Sequence, residues 1–288
     1  MEALEKGKQA EYGAWLSIGV YIGLSLLKLG IGFWGNSKAL MADGLNNTTD
    51  IIASLAVLIG LKISKKPADT DHRYGHSRAE TVASMVASFI MVAVGLEVLT
   101  NSVLKLIRGD VQSPSLLAAA AAAIAAFIMY AVYRYNLRLA EKTNSHALKA
   151  VAADNKSDAW VSLGTVVGIV MSVLGLAWLD NVTAIIVGGM IGKTGWEIFR
   201  EATHMLTDGF DEEELRKYKV TIAAVDGVEK VLDIKGRSHG NQIFVDLTIA
   251  VRSELSVSDS HDITENVENE LIDKHQVHHV HVHIEPYA

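Results

Sequence analysis

The chain has 288 residues, no cysteine and a formal net charge of -7, and 50% of its residues are hydrophobic. Its mean hydropathy of +0.24 is high for a soluble protein, so lipid is the expected solvent for much of the chain. The lack of cysteine excludes disulfides and thiolate metal sites, and the negative charge argues against nucleic acid as a partner.

Five or six apolar segments can be counted before about residue 200. Each has close to the roughly 20 residues that a helix needs to cross about 30 Å of hydrocarbon. They are Tyr12 to Gly35, Ala39 to Ile63, Thr81 to Leu104, Ser115 to Tyr133, Ala147 to Ala177 and Asn181 to Phe199. The fourth has no charged residue, and its alanine run permits close helix packing. Six spans would place both termini on one side of the membrane.

Lys and Arg concentrate in three connections on one side of the expected membrane, which the positive-inside rule assigns to the cytoplasm. They are Lys6 and Lys8, then Lys62, Lys65, Lys66, Arg73 and Arg78, then Arg134, Arg138 and Lys142. Lys105 and Arg108 lie on the opposite side and weaken this bias. We expect an inner (plasma) membrane protein with both termini in the cytoplasm. Met1 to Glu11 is polar, so we expect insertion through the first span without a cleaved signal peptide.

Beyond Arg200 the pattern changes to the shorter alternation of a small α+β domain. The predicted elements are a helix over Asp211 to Ala224, strands over Val228 to Lys235 and Gln242 to Val251, a helix over Ser258 to Asp273 and a strand over Val277 to Glu285. Gly236 to Asn241 is predicted as a hairpin loop. The sequence therefore predicts a multi-domain membrane protein: a six-helix transmembrane domain over residues 1–204, followed by a cytoplasmic α-β-β-α-β domain over residues 205–288.

Two polar stretches inside apolar segments carry oxygen-bearing side chains four residues apart, Asn46 with Asp50 and Asp154 with Asp158. Positions i and i+4 share one face of a helix, and ionisable residues within a span usually mark an ion or proton path. Together these pairs offer an all-oxygen site to a hard divalent cation. The alternative is that the three aspartates lie in water or at a helix junction. Asp43 either joins this face or lies in an aqueous entrance.

A second polar cluster lies in the connection between the second and third spans. Asp69, His72 and His76 could form a small site of imidazole and carboxylate ligands. The alternative is a solvated polar loop, since His and Asp are common in loops. Spacing alone leaves these two interpretations open.

A third cluster lies in the last predicted strand. Strand alternation places three imidazoles and a carboxylate on one face, namely His279, His281, His283 and Glu285. Asp246 on the neighbouring strand and His261 near the start of the second soluble helix could meet that row. His275 and His278 are expected to be solvated, and the role of His239 is left undecided.

These features together resemble the cation diffusion facilitator family of divalent-metal/proton antiporters. Its members are homodimers with six transmembrane helices and a cytoplasmic α-β-β-α-β domain. The resemblance covers essentially the whole chain and is most specific in three stretches: Ala42 to Ser54, Pro67 to Glu80 and Val151 to Asp158. It implies that the second and fifth helices supply the ligand pairs Asn46 with Asp50 and Asp154 with Asp158.

The resemblance also implies metal sites outside the membrane. The loop cluster Asp69, His72 and His76 matches the loop site of the family. The residues that fall where family members bind metal between protomers are Asp246, His261, His283 and Glu285.

The soluble domain shows one departure from the family pattern, and a charge pair between this domain and the loop after the second span matches the family. Leu232 stands where zinc-transporting members often have histidine, so this site is incomplete or rearranged relative to the family pattern. Arg78 and Asp208 match a charge pair that ties the membrane part to the soluble part near the dimer interface.

The composition of the membrane pairs points to a particular metal. Zinc-transporting members have a histidine in at least one pair, typically where Asp154 stands. Zinc favours nitrogen or sulfur ligands, whereas Mn²⁺ accepts carboxylate, carboxamide and water. The all-oxygen set resembles the manganese-exporting branch, so we expect Mn²⁺ as the substrate, with Zn²⁺, Fe²⁺, Co²⁺ or Cd²⁺ as alternatives.

The expected mechanism is alternating access in a homodimer, in which protons displace the metal on the far side of the membrane. Clustered carboxylates without metal repel one another, so at least one is expected to bind a proton. The alternatives are a zinc, cadmium or iron exporter, a metal-sensing membrane scaffold and a cation channel. No nucleophile, base and oxyanion arrangement is visible, so we expect neither an enzyme nor a catalytic cofactor.

Overall fold

The computed structural model describes residues 2–64, 66–109, 113–143, 146–240 and 242–287. The chain forms two compact units. The first consists of Met1–Ala56 with Val86–Glu197, and the second consists of Val57–Met85 with Ile198–Ala288.

Six long helices occupy the described part of the chain before residue 207. They are α1 (Glu2–Trp34), α2 (Lys38–Ser64), α3 (Ala79–Arg108), α4 (Leu116–Thr143), α5 (His146–Val173) and α6 (Trp178–Leu206). Several run beyond the predicted apolar segments into polar sequence, because a helix satisfies its own backbone hydrogen bonds in water as well as in lipid. The prediction of six long helices is confirmed.

Within the described residues, four of these helices contain segments long and apolar enough to cross a membrane by length and composition. The segments are Trp15–Trp34, Ala79–Arg108, Leu116–Lys142 and Trp178–Leu206. They belong to α1, α3, α4 and α6. The remaining two helices, α2 and α5, carry the predicted ligand pairs, and the charges of Asp154, Lys156 and Asp158 lower the hydropathy of α5.

Small residues bring the helices of the first unit close together. Ala118, Ala122 and Ala125 of α4 have no exposed surface, and α4 packs against both α1 and α5. Between α3 and α6, a Cβ at Gly95 would lie 2.7 Å from the backbone nitrogen of Gly192. This contact is therefore one of backbone against backbone, the close approach that small residues permit in membrane helices.

The start of α2 is capped by a side chain from α6. Asp180 Oδ2 accepts hydrogen bonds from the backbone N–H groups of Lys38, at 2.5 Å, and Ala39, at 3.3 Å. Ser37 Oγ donates to Asp180 Oδ1 at 2.6 Å. Asp180 is buried, so these bonds satisfy backbone donors that the first turn of a helix otherwise leaves unpaired.

The second unit contains the predicted α-β-β-α-β order. Its elements are α7 (Glu212–Ala223), β1 (Lys230–His239), β2 (Gln242–Arg252), α8 (Val257–His275) and β3 (His279–Tyr287). The sheet order is β1-β2-β3, with β1 and β2 antiparallel and β2 and β3 parallel. Residues from both helices and from the sheet form one core: Tyr218, Ile222, Val245, Leu247, Ile249, Val267 and Leu271.

The predicted hairpin loop over Gly236 to Asn241 is wrong in extent. β1 continues through His239, which pairs with Gln242. Gly236 lies inside the strand, where a Cβ would lie 2.7 Å from the ring of Phe210. The glycine therefore makes room for an aromatic ring there, and the turn itself uses Gly240, whose φ of 61° is in the left-handed region.

Candidate metal centre

The two predicted ligand pairs meet at Asn46. Its Nδ2 lies 3.1 Å from Asp158 Oδ1 and 3.4 Å from Asp50 Oδ2. An ionised carboxylate only accepts hydrogen bonds, so the amide donates to both aspartates. Asp158 is buried, whereas Asn46 and Asp50 are half-buried. One carboxamide thus links a carboxylate of α2 to a carboxylate of α5.

Asp154 lies one helical turn before Asp158 and is exposed in the chain. Its charge interacts with both Asp50 and Asp158. The three carboxylates are not among the described groups whose ligand atoms all lie within 4.8 Å of one another. We call Asn46, Asp50, Asp154 and Asp158 the membrane site; its ligand roles remain predictions.

A buried chain of hydrogen bonds holds Asp158 from behind. The Tyr21 hydroxyl donates to Asp158 Oδ2 at 2.5 Å and accepts from Asn155 Nδ2 at 3.0 Å. Asn155 Oδ1 in turn accepts from Asn136 Nδ2 at 2.9 Å and from Ser17 Oγ at 3.0 Å. Side chains from α1, α4 and α5 thus fix the orientation of one predicted ligand.

Asp43 does not lie in an aqueous entrance, one of the two positions considered from the sequence. It has no exposed surface, and its Oδ1 lies 2.9 Å from the ammonium of Lys28, which is itself fully buried. The same ammonium donates to Asn47 Oδ1 at 2.7 Å and to Ser162 Oγ at 2.9 Å. Asp43 is therefore the partner of a buried lysine, because an unpaired charge in this setting would be far more costly.

The loop cluster lies together in the second unit. His72 Nδ1 is 3.2 Å from Asp69 Oδ1, and His76 Nε2 is 3.5 Å from Asp69 Oδ2. The ligand atoms of all three residues lie within 4.8 Å of one another. The pKa of the Asp69 carboxyl is lowered, mainly because the backbone N–H of His72 donates a hydrogen bond to it. The carboxylate is therefore ionised near neutral pH and available to a cation.

The predicted charge pair is also present, since Arg78 Nη2 lies 2.5 Å from Asp208 Oδ1. Asp208 has a φ of 59°, a conformation that few non-glycine residues adopt. Nearby, the ring of His239 packs against those of Tyr74 and Phe244. Burial, followed by the charges of Arg78 and Arg237, lowers the pKa of the His239 imidazole.

The four candidate residues of the soluble domain are spread over several interactions. Asp246 pairs with Arg237, His261 Nδ1 lies 3.6 Å from Glu265 Oε1, and His283 Nε2 lies 3.1 Å from Glu285 Oε1. His261, Asp262 and Glu265 lie within 4.8 Å of one another. Among the described residues, the four candidates do not form one cluster of that size. His275, expected to be solvated, is half-buried and bonds to Thr221 at 2.7 Å.

Comparison with known families covers nearly the whole chain. Residues 14–207 match the Cation efflux transmembrane domain, a range that contains α2 to α6 and most of α1. The chain belongs to the cation efflux family. Residues 210–287 match the Cation efflux protein, cytoplasmic domain. Membership of the cation efflux family confirms the resemblance and the predicted fold, a six-helix membrane bundle followed by a cytoplasmic α+β domain.

Cation efflux relatives match this chain along nearly its full length. "Manganese efflux system protein MneS" of Bacillus subtilis (strain 168) is 51% identical over 286 residues, covering 99% of each chain. "Uncharacterized transporter YdbO" of the same organism is 48% identical over 286 residues, again 99% of each chain. "Manganese efflux system protein MneP", also of B. subtilis, is 32% identical over 271 residues, covering 90% of each. All three relatives are named as efflux proteins or transporters.

Sequence reasoning on this cation efflux chain missed the side chains behind the membrane site. A signal existed for Lys28, since it is a charged residue within an apolar segment. No comparable signal marks Tyr21 or Asn136, because a tyrosine is ordinary within an apolar helix and Asn136 lies beyond the end of the predicted fourth apolar segment. Their role depends on which helices pack together, and short-range sequence patterns do not contain that information.

Proposed function

We propose that this chain exports Mn²⁺ from the cytoplasm in exchange for protons, by alternating access in a homodimer. The observation that carries the proposal is the all-oxygen composition of the membrane site. Asn46 bridges Asp50 and Asp158, and Asp154 lies one turn away. The names of the relatives MneS and MneP support manganese as the substrate.

The chemistry of the site suits a hard divalent ion. Carboxylate and carboxamide oxygens are ligands that Mn²⁺ accepts readily, whereas zinc favours nitrogen and sulfur. For Asn46 to act as a ligand, its amide must turn so that Oδ1 replaces Nδ2 between the two aspartates. In the empty site the amide N–H group of Asn46 bridges the two carboxylates, and in the filled site the metal ion takes over this role.

Proton coupling follows from the same side chains. A proton and a metal ion compete for the same carboxylate oxygens, so binding of one favours release of the other. Asp50 and Asp158 interact electrostatically, and without a cation their charges oppose each other. Protons entering from the far side of the membrane therefore displace Mn²⁺, and the emptied site returns with its charge reduced.

The remaining assignments complete the proposal. We place the chain in the inner (plasma) membrane, with both termini in the cytoplasm and the boundary between the two domains after residue 204. Divalent metal at the loop cluster Asp69, His72 and His76 and in the soluble domain has a regulatory role. The soluble-domain site is assembled in the dimer from Asp246, His261, His283 and Glu285.

The decisive test is Mn²⁺ uptake by proteoliposomes that contain the purified protein and carry a pH gradient. Asp50→Ala and Asp154→Ala are expected to abolish flux, because each removes one carboxylate ligand. The matched control is Asp233→Ala, which removes an exposed carboxylate paired with Lys235 in the soluble domain. Near-normal flux in either membrane variant would refute the assignment of these residues as ligands.

Metal preference is tested at the position where zinc-transporting relatives carry histidine. Asp154→His supplies an imidazole and is expected to shift the ratio of Mn²⁺ to Zn²⁺ flux towards zinc. The wild-type ratio measured in the same vesicles is the reference. An unchanged ratio would contradict the argument from ligand type, and a wild type that carries Zn²⁺ better than Mn²⁺ would contradict the choice of metal.

A further inference from the structure

A single buried ammonium joins the two helices that carry the membrane site. Lys28 of α1 has no exposed surface, and its three N–H donors have three oxygen partners. Two of these partners, Asp43 and Asn47, belong to α2, and the third, Ser162, belongs to α5. We call these four residues the ammonium cage.

The ammonium cage lies close to the membrane site along both helices. On α2, Asp43 lies three residues before the ligand Asn46, about one helical turn, and Asn47 directly follows it. On α5, Ser162 lies four residues after Asp158, on the same face of the helix. The Lys28 ammonium is thus held next to the place where a divalent cation is expected to bind.

The charge of Lys28 reaches the predicted ligands. The ammonium interacts electrostatically with both Asp50 and Asp158. It is held by side chains of both α2 and α5, so its charge lies between the two helices that carry the ligands, whereas the Asp43 carboxylate belongs to α2.

A contribution to the stability of the fold is a poor explanation for the buried Lys28–Asp43 pair. Asp43 Oδ2 is buried and has no hydrogen-bond partner among the described residues. A buried ion pair with unsatisfied neighbours contributes little to stability compared with apolar side chains of the same volume. The position of the charge, rather than the strength of the contact, is the feature that calls for a role.

We propose that Lys28 sets the metal affinity of the membrane site, acting as a tethered counter-cation that repels the bound divalent ion and so permits its release. This inference rests on the proposed export of Mn²⁺ and adds a residue that is not a ligand. When the site is empty, the ammonium balances part of the carboxylate charge. When the site is filled, the same ammonium weakens binding, because like charges repel strongly in a medium of low dielectric constant.

The test compares a variant that removes both charges of the ammonium cage, leaving its net charge unchanged, with a variant that removes only its negative charge. Lys28→Gln with Asp43→Asn removes both charges and keeps hydrogen-bonding groups in place. Its apparent KM for Mn²⁺ is expected to fall on the order of tenfold, with a lower Vmax because release slows. Asp43→Asn alone leaves the ammonium unbalanced and is expected to raise the KM by a similar factor.

The control breaks another contact between α1 and α2 without changing any charge. Ser25 Oγ lies 2.6 Å from Thr48 Oγ1, and Ser25→Ala removes this bond. Its KM is expected to stay within about twofold of the wild type. If Lys28 only tethers helices, the double variant will raise the KM, and that result overturns the inference; so does an equal fall in KM for Ser25→Ala.

Failure of the inference and failure of the proposed function give different results. A wild-type protein that carries no Mn²⁺ refutes the proposed function. A wild type with normal flux whose double variant keeps or raises its KM refutes the role of Lys28 alone. If the double variant does not fold, Lys28→Met with Asp43→Leu decides, because it removes both charges and replaces the buried pair with apolar side chains of similar volume: a lowered KM supports the inference, and an unchanged or raised KM overturns it.

Discussion

Replacing Tyr21 by phenylalanine removes a single hydroxyl from the hydrogen-bond chain behind Asp158. This hydroxyl lies 2.5 Å from Asp158 Oδ2 and 3.0 Å from Asn155 Nδ2, and Tyr21 is 6% exposed. A hydrogen bond to a charged group contributes about 1.5–3 kcal/mol, and a buried donor left unpaired costs about 1–3 kcal/mol. Tyr21→Phe is therefore expected to lower the free energy of unfolding by about 3 kcal/mol.

Thermal unfolding of the purified protein in detergent measures this loss. At about 2–4 °C per kcal/mol for a long chain, the Tm is expected to fall by about 6–12 °C. Transport is expected to show a raised KM for Mn²⁺, because Asp158 loses the bond that orients it. The control is Tyr12→Phe on the same helix, where the tyrosine is 61% exposed. A Tm of Tyr21→Phe within about 1 °C of that control would refute the reasoning.

Two further predictions concern packing and pH. Gly95→Ala is expected to lower the free energy of unfolding by about 1–3 kcal/mol, since its methyl group meets the backbone of Gly192, whereas Gly189→Ala, with open space around it, is expected to change it by about 1 kcal/mol or less. Thermal unfolding of both variants checks this contrast. The lowered pKa of His239 means that the folded protein binds fewer protons than the unfolded chain, so stability is expected to fall as pH drops below the unfolded value of about 6.5. Unfolding measured between pH 5 and 8 is expected to show less of this dependence in His239→Gln, and an equal dependence in both proteins would contradict it.

The elements of this fold follow largely from apolar patterns. Long apolar segments predict helices that the structure contains, and period-two alternation predicts β2 with Val245, Leu247 and Ile249 in the core. The hairpin between β1 and β2 was misplaced, because Gly236 looks like a turn residue in sequence. A glycine stands at this position because the ring of Phe210, from another part of the chain, packs against the strand there.

The membrane site likewise combines residues that a local sequence pattern predicts with residues that only the packing of distant helices brings together. The four-residue spacing of Asn46 with Asp50 is a local pattern, and the helix it predicts is present. The bond between Tyr21 and Asp158 joins residues 137 positions apart, so no local pattern predicts it. Asp43 shows the same limit, since only the packing of α1 against α2 reveals that its partner is Lys28.

The cap that Asp180 places on α2 constrains how the membrane site can open. Its carboxylate holds the first backbone N–H groups of α2 and the hydroxyl of Ser37, so sliding α2 against α6 at this end would break three hydrogen bonds at once. Tilting about the same end keeps all three. If α2 tilts during the proposed alternating access, Asp180 would therefore be its pivot, and the displacement of α2 would grow along the helix towards Asn46 and Asp50.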